Sequence, residues 1–475
     1  MDTYRRLIVV LALLAAVGLA ACVPVSSVEK KGGDGEFRVL LTAEPVSLNP
    51  DIRNDDPAFN VAQGLFNKLV TLDADYRIIP DLATSWTIAD DGRTYTFQLA
   101  RGVQWHDGQP FTAADVKWTL ETIAREKTPA QATAAQITGI ETPDPHKVIV
   151  RLKEPWAPFL PNLAWYGTLI LPKHLYDGTY WAKNPANEKP IGTGPFKFVE
   201  WVKGDHITLA ANPAYFRRGP FVDRVTYLIR KDASAVSAEM LKRGDIDFTL
   251  ARPPYGDLRA LQTTAGIKVV TFAHPARYYL GFNLQRRPYD DLRVRRAINM
   301  AINRVTLVEQ GLQGYGAVGI GFYTPAIAWA YNARAQAPAF DLTAANALLD
   351  QAGLARDAAG IRLKPTLIIS NLSPYTELAA TLREQLRAIG LDVQIVALPT
   401  TEWTKRANQE RDFDLGITDG TQGPDPDNLS LRFGAGGSNN FMGFANPAFD
   451  AALAEGARRT KLEERSQSYY GSRIK

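Results

Sequence analysis

Thr366-Leu367-Ile368-Ile369-Ser370, then Ser373-Pro374 ahead of Leu378, Leu382, Leu386 and Ile389, then Gly390 and the run from Leu391 to Leu398, form the stretch that decides the fold. Its first five residues have the length and composition of a buried strand. Apolar residues three and four apart then give a helix one buried stripe. Ser373 is placed to cap that helix, Pro374 fits its first turn, and Gly390 closes it. Leu391 to Leu398 alternates as the next strand, so the whole is a strand-helix-strand unit.

The same interleaving extends outward. Phe37, Val39 and Leu41 alternate as a strand, as do Tyr95, Phe97 and Leu99, and Val148, Val150 and Leu152. Thr112 with Asp115 makes a capping box ahead of Val116, Leu120 and Ile123. A further helix is expected from about Asp291, with Val294, Ile298, Ile302 and Val305 on one face. Strands and helices in alternation argue for a mixed α/β architecture. Prolines are dense between Pro143 and Pro220, which suits long surface connections and a domain edge.

The N-terminus carries an address. Arg5 and Arg6 precede an apolar run from Leu7 to Ala21, too short to span a bilayer as a helix and followed by Cys22, the only cysteine of the chain. Leu19-Ala20-Ala21-Cys22 resembles a bacterial lipobox, in which the cysteine is acylated and becomes residue one of the mature chain; the other reading is an ordinary signal peptide with an incidental cysteine. Residues 1–21 are therefore expected to be a lipoprotein signal, and residues 22–36, with Lys30-Lys31-Gly32-Gly33-Asp34-Gly35, a flexible tether. Without the signal the net charge falls from +4 to about +3, and no Lys/Arg block occurs, which argues against a nucleic-acid partner. About 450 residues remain, enough for two or three globular units.

Three linked segments carry a family resemblance: Leu82-Ala83-Thr84-Ser85-Trp86, Asp90 to Leu99, and Gly102 to Gly108 running on to Phe111–Val116. Further on come Gly192-Thr193-Gly194-Pro195-Phe196, Asn212-Pro213-Ala214-Tyr215, Lys242 to Asp247, Phe282-Asn283, Asp291 to Ala297, Ala301 to Arg304 and Leu348 to Gly353. In this order they resemble the family-five extracellular solute-binding proteins, the oligopeptide, dipeptide and nickel binding components of ABC importers. The resemblance implies an α/β, bilobal periplasmic-binding-protein-like fold (type II, three-part), with a ligand cleft between two mixed-sheet lobes joined by a hinge. It places lobe I at residues 37–50 and 190–277, a family-specific insert at 51–189, and lobe II at 278–475. It also implies no catalysis and no cofactor. The partners are a small solute, peptide or peptide-like, together with the permease and ATPase subunits, and the protein is expected to be a monomer anchored by lipid outside the cytoplasmic membrane. A metal chelate, an opine or a sugar is the alternative cargo on the same fold.

By position in the family, the ligand contacts expected here are Glu44, Tyr279, Gly281, Asn283 and Trp403, and the loop bearing Asp419, Gln422 and Asp425. Peptide-binding relatives hold the ligand's α-amino group with an aspartate a few residues before an Asp-Pro-Asp. Counting back from Asp425, that position is Gln422, which is neutral; Asp419 takes the role if the loop is shifted, and is otherwise a turn residue before Gly420. The shift matters because a buried ammonium without a carboxylate is unfavourable. Trp403 reads equally as a stacking platform or as a core residue, Glu44 as a partner for a cation or as a turn residue before Pro45, and Asp425 also as a loop cap.

Other patterns lead nowhere. Gly314 to Gly319 has the letters of a dinucleotide loop without the strand before it or the helix after it. The five histidines show no metal-ligand spacing. A secreted hydrolase is the rival of another class, and Gly-x-Ser-x-Gly is absent. Family members continue beyond the point where this sequence stops, with a return of the chain to lobe I, so a truncated or frame-shifted chain with an unpaired sheet edge is expected, and Ser466 to Lys475 reads as unpatterned polar sequence.

Overall fold

Leu40 and Leu41 are both fully buried, which a strand with one wet face would not allow. In the computed structural model, which describes residues 35–53, 55–126, 128–272, 274–420 and 423–471, they lie on β1 (Glu36–Leu41). Cys22, the signal and most of the tether lie outside the described residues, as does Gln422. The chain leaves β1 for β2 (Val70–Leu72), β3 (Ile78–Pro80), β4 (Ala83–Ile88), β5 (Thr94–Leu99), β6 (Ile137–Asp144) and β7 (Lys147–Leu152). It then forms β8 (Phe196–Val202), β9 (His206–Ala211), β10 (Arg224–Ile229) and β11 (Phe248–Thr249), which join β1 in one sheet of order β11-β1-β10-β9-β8. β1 is therefore interior to its sheet and packed on both faces: Val39 and Leu41 meet Leu48, Val61, Ile207 and Leu209, while Leu40 meets Ala233, Met240 and Ile246.

The segment carrying the family signature is scaffold. β4, β5, β7 and β6 form an antiparallel sheet whose alternating residues Tyr95, Phe97, Val148 and Val150 are fully buried beneath Trp105, Phe111, Val116 and Leu120. The tight turn before β5 is held by the Asp91 carboxylate, which accepts from the Arg93 and Thr94 N–H groups at 2.8 and 3.0 Å, with Gly92 at φ +65°. The Thr112–Asp115 capping box forms as expected, and Asp115 also accepts from the Lys173 N–H at 3.0 Å.

A second mixed sheet, of order β12-β15-β13-β14, comprises β12 (Tyr279–Phe282), β13 (Thr366–Ser370), β14 (Gln394–Leu398) and β15 (Leu415–Thr418). β13 and β14 pair in parallel from Thr366 opposite Gln394 to Ser370 opposite Leu398, joined by the helix Tyr375–Arg387. Leu378, Leu382, Leu386 and Ile389 are its buried stripe. Gly390 ends it at φ +83°, with the Leu391 N–H donating to Leu386 O and the Gly390 N–H to Arg387 O, which completes a Schellman motif.

Three expectations are corrected. Ser373 caps nothing: Pro374 itself occupies the boundary position, without a side-chain cap. Val305 is 55% exposed because the helix Leu292–Met300 ends and Asn303 starts a new turn, accepting from the Val305 and Thr306 N–H groups, so the apolar phase resets. Residues 466–471 are not unpatterned: they continue the helix Leu462–Gly471, which packs on the helix Pro447–Arg458 with the Tyr469 ring lying over Gly456. Arg465 of this helix is buried and pairs with the fully buried Asp425 at 2.7 Å. Across from it, the Ala157 N–H donates to Ala457 O at 2.8 Å, so the C-terminal helices touch the signature-bearing region.

Candidate ligand-binding site

β12 and β15 run antiparallel with Tyr279 opposite Thr418 and Gly281 opposite Gly416. Tyr278 immediately precedes β12 and Asp419 immediately follows β15, so both lie at the paired ends of these strands. Cross-strand partners share a face, and successive residues alternate faces. The ends of the two strands therefore present two different chemistries.

On one face lies Asp419. The Tyr375 hydroxyl donates to its Oδ1 at 2.6 Å, and the Tyr278 and Tyr375 rings meet edge to face at 5.5 Å. Burial, reinforced by the Asp419 charge, holds the Tyr375 phenol well above its ordinary pKa, so it stays a donor at any physiological pH. Arg252, from the segment after β11, donates to the Tyr255 and Tyr278 hydroxyls at 2.7 and 3.3 Å and to Ser373 O at 2.8 Å. A partly exposed carboxylate, with tyrosines beside it and one short hydrogen bond fixing its orientation, has the chemistry to accept from a cationic group.

On the other face the Tyr279 ring packs near Phe433 and Phe441, with centroids 5.7 and 6.3 Å away. Its hydroxyl is buried close to the Arg432 guanidinium but without hydrogen-bond geometry to it. Gly281 lets Phe441 pack directly on β12, since a Cβ there would come within 2.5 Å of the ring. Gly416, across the strand, faces the same ring at 3.4 Å.

The remaining expected contacts each have partners within the protein. Glu44 accepts from Trp201 Nε1 at 2.9 Å and the Gly204 N–H at 2.7 Å, tying the β8–β9 turn with both its oxygens. Asn283 is buried and donates to Arg411 O and Phe413 O, both at 3.0 Å. Trp403 takes the core reading: its indole donates to Ile368 O at 3.3 Å and packs edge-on against Phe441. Asp425 is engaged by Arg465 and by the Asp427 N–H at 3.0 Å, which makes it a loop and helix tie. Tyr375, which donates to Asp419, and Arg252, which lies near it, are residues that the sequence reading did not single out.

Residues 77–441 match the family described as bacterial extracellular solute-binding proteins, family 5 (middle). The chain belongs to this family. It is 32% identical over 437 residues to di/tripeptide-binding protein 3 of Pseudomonas aeruginosa, covering 85% of this solute-binding protein and 80% of that one. Among solved structures, oligopeptide-binding AppA of Bacillus subtilis in complex with a nonapeptide is 27% identical with a TM-score of 0.76, and NikZ of Campylobacter jejuni in complex with Ni(L-His) is 26% identical with a TM-score of 0.80. Each likeness covers 92% of this chain and 89% of the other. The solute-binding protein thus has the bilobal type II fold of these periplasmic binding proteins, and its relatives are substrate-binding proteins. No helix of the described residues is long and apolar enough to cross a membrane.

Proposed function

We propose that this protein captures short peptides outside the cytoplasmic membrane and hands them to the permease and ATPase subunits of an ABC importer. The observation that carries this reading is the Asp419 carboxylate beside the paired ends of β12 and β15, held by Tyr375 and only partly buried. The peptide-binding names of the relatives support the choice of cargo. Lobe I at residues 37–50 and 190–277, the insert at 51–189 and lobe II at 278–475 close on the solute by hinge motion. A solute touching both lobes favours the closed form only by its extra affinity for that form.

Calorimetry against di- and tripeptides tests the reading: micromolar binding is expected, and Asp419→Asn should abolish it for peptides with a free amino terminus. Unchanged affinity in that variant would remove Asp419 from the site. In this reading Cys22 carries the lipid anchor and residues 22–36 the leash, with the protein a monomer. Cys22→Ser should move the protein from the membrane fraction to the soluble extracytoplasmic fraction, and retention in the membrane would argue against a lipid anchor.

A further inference from the structure

Ala251 and Tyr255 are close in sequence and belong to different interiors. Ala251 is buried with Leu40, Met240 and Ile246 on one face of the first sheet, whereas Tyr255 is buried with Val294, Leu378 and Ile417 in the interior of the second. Between them run Arg252, Pro253 and Pro254. Each proline fixes its own φ and restricts the residue before it, so this seam is stiff. The helix Tyr255–Gln262 is seated on the second interior: the Tyr255 and Tyr315 rings stack at 5.6 Å, and the Tyr315 hydroxyl donates to Gln262 at 3.1 Å.

The Arg252 side chain crosses the same seam. Its Nη2 donates to Ser373 O at 2.8 Å, its Nη1 donates to the Tyr255 and Tyr278 hydroxyls at 2.7 and 3.3 Å, and the guanidinium lies over the Tyr255 ring, 4.7 Å to the centroid. Two of these acceptors adjoin the residue that holds Asp419. Ser373 is two positions before Tyr375, the Tyr278 ring meets the Tyr375 ring edge to face, and the Tyr375 hydroxyl donates to Asp419. Among the described residues Arg252 forms no ion pair with Asp419, which lies only within its longer electrostatic reach. Its side chain is exposed, so solvent and salt screen that charge, whereas the directional bonds act on Tyr278 and on the chain before Tyr375.

We propose that Arg252 is an interlobe clasp and a positioning residue for the solute's ammonium: it fastens the seam after β11 to the Tyr278–Tyr375 pair that orients Asp419. The proposal rests on the peptide reading, in whose lobe division Arg252 belongs to lobe I, and Ser373, Tyr278, Tyr375 and Asp419 to lobe II. Hinge motion at the seam is thereby felt at the carboxylate that meets the solute.

Calorimetry on the full chain compares di- and tripeptides, each offered free and N-acetylated. Arg252→Gln is expected to weaken free peptides about tenfold and to shrink the penalty of N-acetylation, because a less ordered Asp419 gains less from the ammonium. Arg252→Lys should recover little of this, since an ammonium keeps the charge but does not fork to Ser373 O and the two hydroxyls. Tyr278→Phe deletes one acceptor and should act in the same direction, and the double variant Arg252→Gln with Tyr278→Phe should lose less than the sum of the single losses. Full recovery in Arg252→Lys, equal losses for free and acetylated peptides, or additive losses in the double variant each overturn the clasp. Parent-like binding in Arg252→Gln, with binding abolished in Asp419→Asn, overturns the clasp and leaves the peptide reading standing; no binding of any peptide by the parent overturns both.

Discussion

His106 shows how a single side chain can set the acid limit of this protein. The Gly192 N–H donates to its Nδ1 at 3.1 Å, so Nδ1 is unprotonated and Nε2–H must donate to Gly194 O at 3.0 Å. Burial pushes its pKa down to about 4. The folded imidazole stays neutral while the unfolded one protonates near 6.5, so the unfolded state binds the extra proton and stability falls as pH drops through that window, by about 3 kcal/mol. Asp51 acts with the opposite sign: burial raises its pKa to about 7, the folded state holds the extra proton, and its contribution falls as pH rises from about 4 to 7. Urea titrations at pH 7.5 and 4.5 separate the two. His106→Gln should lower stability at pH 7.5 and flatten the acid loss; a variant as acid-sensitive as the parent would assign that loss elsewhere. Residue roles were the least legible part of the sequence. A loop motif brackets Asp419 and Gln422 without choosing between them, whereas Tyr375 and Arg252 find their place near Asp419 only once the fold is known. Glu44, Asn283 and Asp425 show that a polar residue near a cleft and one tying a turn look alike in sequence until their partners are known.

Elements were far more legible, and the helix between β13 and β14 shows why. Its start lacks a side-chain cap, yet its end is fixed by a residue type that tolerates φ +83°, with the two reciprocal hydrogen bonds of the Schellman motif. Gly390→Ala would force a left-handed Cβ to within 3.0 Å of Gly360 O and the Arg362 side chain. A loss of about 1–2 kcal/mol is expected from the backbone alone, read as a lower urea midpoint; an unchanged midpoint would show that the turn relaxes freely. The strands and helices of Thr366–Leu398, Thr94–Leu99 and Lys147–Leu152 were visible because burial on one face imposes a period that local sequence must carry. Val305 and the residues after Ser466 were not. In the first case Asn303 resets the helical phase within a continuous apolar pattern. In the second, a helix with few apolar residues is fixed by tertiary contacts of Arg465 and Tyr469 that no local pattern records.

At the scale of the molecule, the C-terminal helices couple the loop after β15 to the signature-bearing region. Arg465 donates to Asp425 at 2.7 Å, to Gly456 O at 2.8 Å and to the Tyr469 hydroxyl at 3.2 Å, and stacks over Trp329 at 4.9 Å. Asp425 is completely buried at the start of the turn that follows the Asp419 loop. Removing one partner of such a pair leaves a charge in a dry interior, which costs about 3–5 kcal/mol, whereas removing both is often close to neutral. Arg465→Met should therefore destabilise the protein strongly, and the double variant Arg465→Met with Asp425→Asn should recover much of that loss. The exposed Arg458–Glu154 pair, at 3.7 Å between the same helices and the signature-bearing region, should by contrast contribute about 0–1 kcal/mol when deleted. Because Asp425 anchors the loop that follows Asp419, the proposed ammonium site, Arg465→Met should also weaken peptide binding in calorimetry run below its melting transition. A destabilised variant with unweakened binding would show that the loop holds its shape without the helix, and that the coupling between the C-terminal helices and the ligand site is absent.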